Sequence, residues 1–68
     1  MKPFELRLAQ EHLKSSRHLK NLEAFINDQS RFDRIPYEQR ALMLEQVDLL
    51  RNYVRVLEKR LKNLSIPI

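Results

Sequence analysis

MLEQVDLLRNYVRVLEKRLKNL, residues 43–64, is the stretch whose reading decides the fold. Met43, Val47, Leu50, Val54, Leu57, Leu61 and Leu64 follow one another at alternating steps of four and three, the heptad rhythm of a helix whose apolar seam faces another helix. A second line, Leu42, Leu49 and Val56, runs beside it at steps of seven. At about 100° per residue the two lines together cover roughly half of the helix circumference. One antiparallel partner helix hides only part of that arc. The sequence therefore predicts an all-α protein, a two-helix antiparallel hairpin that assembles into a homo-oligomeric helical bundle of at least two copies. Met43, Val47, Leu50, Val54, Leu57 and Leu61, with Leu42, Leu49 and Val56, are the predicted seam.

A third line lies between the other two. Gln46, Tyr53 and Arg60 set an amide, a phenol and a guanidinium along an otherwise greasy face. A buried polar group left unpaired costs on the order of 1–3 kcal/mol, so all three require partners. On one reading they fix register and oligomer state, as polar residues in helical seams do. On the other they line a recess at a subunit interface that admits a polar ligand.

Upstream, Pro3 suits the first turn of a helix and Glu5 complements the positive end of its dipole. Nothing breaks the pattern until about residue 27, where Asn27-Asp28-Gln29-Ser30 favours termination and a turn. The expected organisation is a single helical-hairpin domain over 1–68: a helix over about 3–27, a connection over 28–35, a helix over 36–63 opened by Pro36, and a short apolar tail over 64–68. Phe32 and Ile35 are expected to fold back and close the bend. In the first helix, Leu8, Leu19, Leu22 and Ile26 are expected to face the second helix, with Phe25 at their shoulder, and Leu6, Ala9 and Leu13 to face another subunit. Polar His12, Ser15 and Ser16 interrupt the seam between Leu8 and Leu19. With a bend near Phe32 and equal rise on both helices, they fall near Leu50 to Val54. They either permit close helix approach or floor a gap opposite Tyr53. On the outer face Arg7, Lys14, Arg17 and His18 form a basic ridge, a solvated surface or an anion-attracting one. On the second helix Asp48–Arg51, Arg55–Glu58 and Glu58–Lys62 are spaced as surface ion pairs. The tail, Leu64-Ser65-Ile66-Pro67-Ile68, is stopped from continuing the helix by Pro67 and is expected to dock on a neighbouring subunit.

Composition narrows the chemistry. A chain of 68 residues supports one thin core, and without cysteine neither disulfides nor thiolate metal sites supplement it. Oligomerisation is the remaining route to stability for so small a scaffold. The sequence contains no glycine, whereas phosphate-cradling loops, nucleophile elbows and dinucleotide fingerprints depend on it. No paired carboxylates sit in an apolar setting, and the two histidines make no convincing metal site. The expectation is a protein that is not an enzyme and carries no cofactor and no metal. No apolar run approaches the roughly 20 residues of a membrane span, and the amino terminus lacks a signal-peptide core, so no membrane partner is expected. The formal charge of +4 favours anionic partners.

Arg7-Leu8, Glu11, Leu19, Leu22, Phe25-Ile26, Phe32, Arg40, Gln46, Leu50, Tyr53, Leu57 and Arg60-Leu61 resemble the pattern of a family of small helical-hairpin proteins encoded by tailed bacteriophages, including crAss-like phages. The resemblance runs from Arg7 to Leu61; Ser15 stands where that pattern usually has an apolar residue, and His18 where it has lysine. It implies a phage accessory protein acting in the cytoplasm of an infected host cell. The corresponding expectation is a binder that sequesters an anionic nucleotide immune signal of the cyclic oligonucleotide type at a subunit interface. Tyr53 would stack on a base, Arg60 and a basic residue of the first helix would contact phosphate, and Gln46 with His12, Ser15 and Ser16 would supply the remaining polar contacts. Two alternatives stand beside it. A four-helix-bundle dimer similar to the repressor of primer would bind RNA through Arg7, Lys14, Arg17 and His18. An inhibitor would dock an apolar helix face on a host protein.

Overall fold

A computed structural model describes residues 2–66. Three helices follow in chain order: α1 (Pro3–Asn27), α2 (Gln29–Phe32) and α3 (Tyr37–Asn63). The two long helices run antiparallel and pack along their length, giving a rod of 45 × 15 × 15 Å. The all-helical hairpin expected from the heptads is what forms.

Each boundary has a local cause. Pro3 takes the first position of α1, and the Lys2 backbone N–H donates to Glu5 Oε1 at 3.2 Å, satisfying an amide that the helix itself leaves open. The connection differs from the expected plain turn, because residues 29–32 close a helical turn of their own. Asp28 is the reason. Its carboxylate accepts from the Arg31 backbone N–H at 3.4 Å, the Ser30 hydroxyl at 2.9 Å and Arg31 Nε at 2.8 Å, which caps the turn. Those same bonds hold the Asp28 carboxyl below its ordinary range, the Ser30 hydroxyl contributing most and Arg31 next. Pro36 caps α3, with Glu38 in the first turn. Phe32 and Ile35 are half-buried at the bend, and the Arg40 guanidinium lies 5.9 Å from the centroids of both the Phe32 and Tyr37 rings.

The interior is thin and concentrated at the end away from the bend, where Leu8, Leu57, Leu61 and Ile66 pack together with Ala9 against them. Ile66 reaches this cluster through a C-terminal cap. Ser65 adopts φ 59°, Ile66 N–H donates to Leu61 O at 2.9 Å, and Ser65 N–H donates to Lys62 O at 2.9 Å. This is a Schellman motif with its usual apolar contact, here Ile66 on Leu61. The tail was expected to reach a neighbouring subunit; as far as Ile66 it packs on its own chain, because the cap turns it back. Pro67 and Ile68 lie outside the described residues. Ala9, also expected to face another subunit, instead lies against this cluster, while Leu6 and Leu13 are exposed on the hairpin.

The nine seam positions divide. Val47, Val54, Leu57 and Leu61 are buried within the chain, with Met43 and Leu50 half-buried. That heptad line is taken up by α1 of the same hairpin. Leu42, Leu49 and Val56 remain 55%, 64% and 51% exposed. Opposite the midpoint of α3, α1 supplies Ser15 rather than a bulky residue, and its side chain is buried at 6% exposure. Of the expected surface pairs, Asp48–Arg51 forms at 3.3 Å. Arg55 instead donates to Asn52 at 2.9 Å, and Glu58 turns inward to His12, leaving both for partners other than those expected.

Candidate functional site

Consecutive residues on α1 lie about 100° apart, so Glu11 and His12 straddle the line of contact with α3. Glu11 falls on one flank, where its Oε1 accepts from the Tyr53 hydroxyl at 3.0 Å and from the Ser15 hydroxyl at 3.3 Å. His12 falls on the other, with Nε2 3.1 Å from Glu58 Oε2 and 3.5 Å from the Ser16 hydroxyl. The expected cluster of His12, Ser15, Ser16 and Tyr53 is therefore split in two. Its level along the hairpin follows from the bend, but its side does not. His12 also meets α3 one turn beyond the Leu50–Val54 interval expected for it.

On the Tyr53 flank the helices part to leave a cleft of about 350 Å³ lined by Phe4, Arg7, Leu8, Glu11, Tyr53, Leu57 and Arg60. Leu8 and Leu57 belong to the packed cluster and form an apolar floor. Arg7 and Arg60 bring two guanidiniums from different helices to one opening. Tyr53 is 45% exposed, its ring presented to solvent while its hydroxyl is held by Glu11. The Glu11 bond is the largest cause raising the Tyr53 phenol above its ordinary range; burial and the Glu11 charge add to it, and the Arg60 charge opposes it. The phenol is thereby kept as a neutral donor. A ring face, a pair of guanidiniums and a carboxylate that accepts from donors suit a ligand with an aromatic base and phosphate.

Of the lining residues that the expected ligand set does not name, Arg7 and Glu11 carry charge. Arg7, expected on the outer ridge, is the basic residue of the first helix that lines the cleft with Arg60. At about 100° per residue Arg7, Lys14 and His18 share a flank within about 40°, and Arg17 lies further round. Glu11 was expected only as part of a family pattern. Its signal is positional, since it stands four residues from both Arg7 and Ser15 and so shares their side of α1. Gln46 is exposed on the same side of α3 as Tyr53, two turns away, and is not among the residues lining the cleft. Among the described residues no group of His, Cys, Asp and Glu is placed to hold a metal ion, and no helix is long and apolar enough to cross a membrane.

No curated protein and no solved structure matches the chain. The family model described as Sequestin matches residues 2–63, nearly all of the hairpin. The chain thus belongs to the Sequestin family, non-catalytic proteins that sequester cyclic nucleotide immune signals.

Proposed function

We propose that this chain is a phage accessory protein acting in the cytoplasm of the infected cell, and that it captures its cyclic nucleotide in the cleft between Arg7, Glu11, Tyr53 and Arg60, where copies of the hairpin meet. The observation that carries this reading is the junction of Tyr53, Glu11 and the two guanidiniums in one opening over a packed apolar floor. Tyr53 stacks on the base, Arg7 and Arg60 meet phosphate bidentately, and Glu11 accepts from base-edge donors in place of the hydroxyls it holds in the free protein. Ser15 acts through Glu11, fixing its carboxylate. His12, Ser16 and Glu58 form a structural cluster across the opposite flank. The exposed Leu42, Leu49 and Val56 supply the contact between copies.

Thermal denaturation against a panel of linear and cyclic nucleotides tests the reading. A ligand at 100 times its dissociation constant stabilises the folded state by about 2.7 kcal/mol. Tyr53→Ala is expected to abolish the shift caused by a cyclic nucleotide while the hairpin keeps its helicity. An unchanged shift in Tyr53→Ala, or binding that collapses with salt as steeply as polyanion binding does, overturns it.

A further inference from the structure

Leu42, Leu49 and Val56 are symmetric about Leu49, and the charges beside them are antisymmetric. On that face of α3, Glu38 and Glu45 lie before Leu49, and Lys59 and Arg60 lie after it. We infer that the stripe is covered by a second copy of the chain whose α3 runs antiparallel with Leu49 at the two-fold axis, and that the partner subunit's Gln46 completes the cleft at Tyr53. In this register Leu42 meets the partner subunit's Val56 and Glu38 lies level with the partner subunit's Arg60. A parallel pairing would instead set Arg60 against its own copy, a like-charge contact that opposes docking.

The axis also fixes which side each residue occupies. A two-fold perpendicular to both helices places each flank of α3 beside the same flank of its partner. Gln46, Tyr53 and Arg60 follow one another at steps of seven on the flank that carries the cleft. Gln46 lies three residues before Leu49 and Tyr53 four after it, so the partner subunit's Gln46 stands within about 1.5 Å of the level of Tyr53. Within one chain the same two residues are separated by about 10.5 Å along the helix. The amide that the single hairpin leaves outside its cleft thus reaches the cleft of the other copy, where it offers both a donor and an acceptor to a base edge. The contribution to binding rests on the cleft being the nucleotide site; the docking does not.

The sequence has no cysteine, so disulfide trapping in the full-length chain reads the register directly. Leu42→Cys mixed with Val56→Cys is expected to give cross-linked dimer, as is Gln46→Cys mixed with Tyr53→Cys, each at about ten times the yield of either variant alone. In the antiparallel register two copies of position 42 stand about 21 Å apart, beyond the roughly 7 Å between Cα atoms that a disulfide spans. Cross-linking of the single variants with themselves, or of none of the mixtures, overturns the inference. Gln46→Ala is expected to weaken binding of a cyclic dinucleotide such as cyclic diadenosine monophosphate about tenfold, while the Leu42–Val56 cross-link persists. Cross-links without stabilisation by any cyclic nucleotide would uphold the docking and remove the nucleotide reading. Stabilisation without cross-links would do the reverse.

Discussion

Ser65 offers the most direct test of how the thin core is closed. It holds φ 59° with a side chain present, in a region where an ordinary L-residue costs roughly 1–2 kcal/mol and glycine nothing. Glycine has a cost of its own, because it enlarges the unfolded ensemble by roughly 0.4–1 kcal/mol. Ser65→Gly is therefore expected to gain about 0.5–1 kcal/mol net. For a domain of this length that is about 2–8 °C in Tm, since 1 kcal/mol corresponds to about 4–8 °C. Ser65→Val is the control, because a β-branched side chain suffers most at positive φ. It should lower Tm, freeing Ile66 from Leu8, Leu57 and Leu61. Circular dichroism at 222 nm during heating, with urea midpoints as a check, measures both variants. Nucleotide affinity should be unaffected by Ser65→Gly, because the cap supports the floor of the cleft from beneath. A fall in Tm for the glycine variant, or equal stability of serine and valine at 65, would refute the account of the cap.

Further expectations follow from the same contacts. Glu11→Gln removes the largest influence raising the Tyr53 phenol, so in a Tyr37→Phe background the alkaline absorbance titration should move to lower pH; an unmoved curve would dissolve the Tyr53–Glu11 pairing. The sign for stability follows: a raised phenol stabilises fully below its unfolded value, and that contribution fades as pH rises through the folded value. Asp28 behaves oppositely, because its depressed carboxyl stabilises above the ordinary aspartate range and the contribution is lost as pH falls through the lowered value. Asp28→Asn should accordingly flatten the acid limb of Tm against pH, and an unchanged slope counts against the cap. Leu61 is 1% exposed, so Leu61→Ala should cost about 2–5 kcal/mol, enough to unfold most of so small a domain at 25 °C unless ligand restores it. Retention of a cooperative transition near the parent Tm would show that the core lies elsewhere.

The hairpin was legible because its information is periodic. Steps of three and four in α3, the prolines at 3 and 36, and the polar Asn27-Asp28 break all act locally, and local rules are what a sequence displays. Tyr53 and Arg60 stood out for a related reason, as polar groups on a face otherwise apolar. Glu11 did not, because its importance is a relation between two helices. Periodicity reports level and angle on one helix, but which flank of α1 meets which flank of α3 depends on packing. The same ignorance placed His12 and Ser16 with Tyr53. Asp28 hid the extra turn, since an aspartate after a helix reads equally as an ending and as a new cap. Ser65 bears no local sign of its role, because glycine, the usual mark of a left-handed cap, is missing from the chain.

A protein that removes a messenger by holding it spends one binding site for every molecule withdrawn, so speed and number of copies matter more than turnover. The single bend of this hairpin bears on both. Antiparallel helices joined by one short connection bring most neighbours together from nearby in the chain, and folds of that kind reach their native state in microseconds to milliseconds. No disulfide has to form, among residues that include no cysteine, and no long loop has to close. Each hairpin is folded almost as soon as synthesis releases it, so the pairing of copies, and not folding, sets the pace in a race against an accumulating alarm molecule.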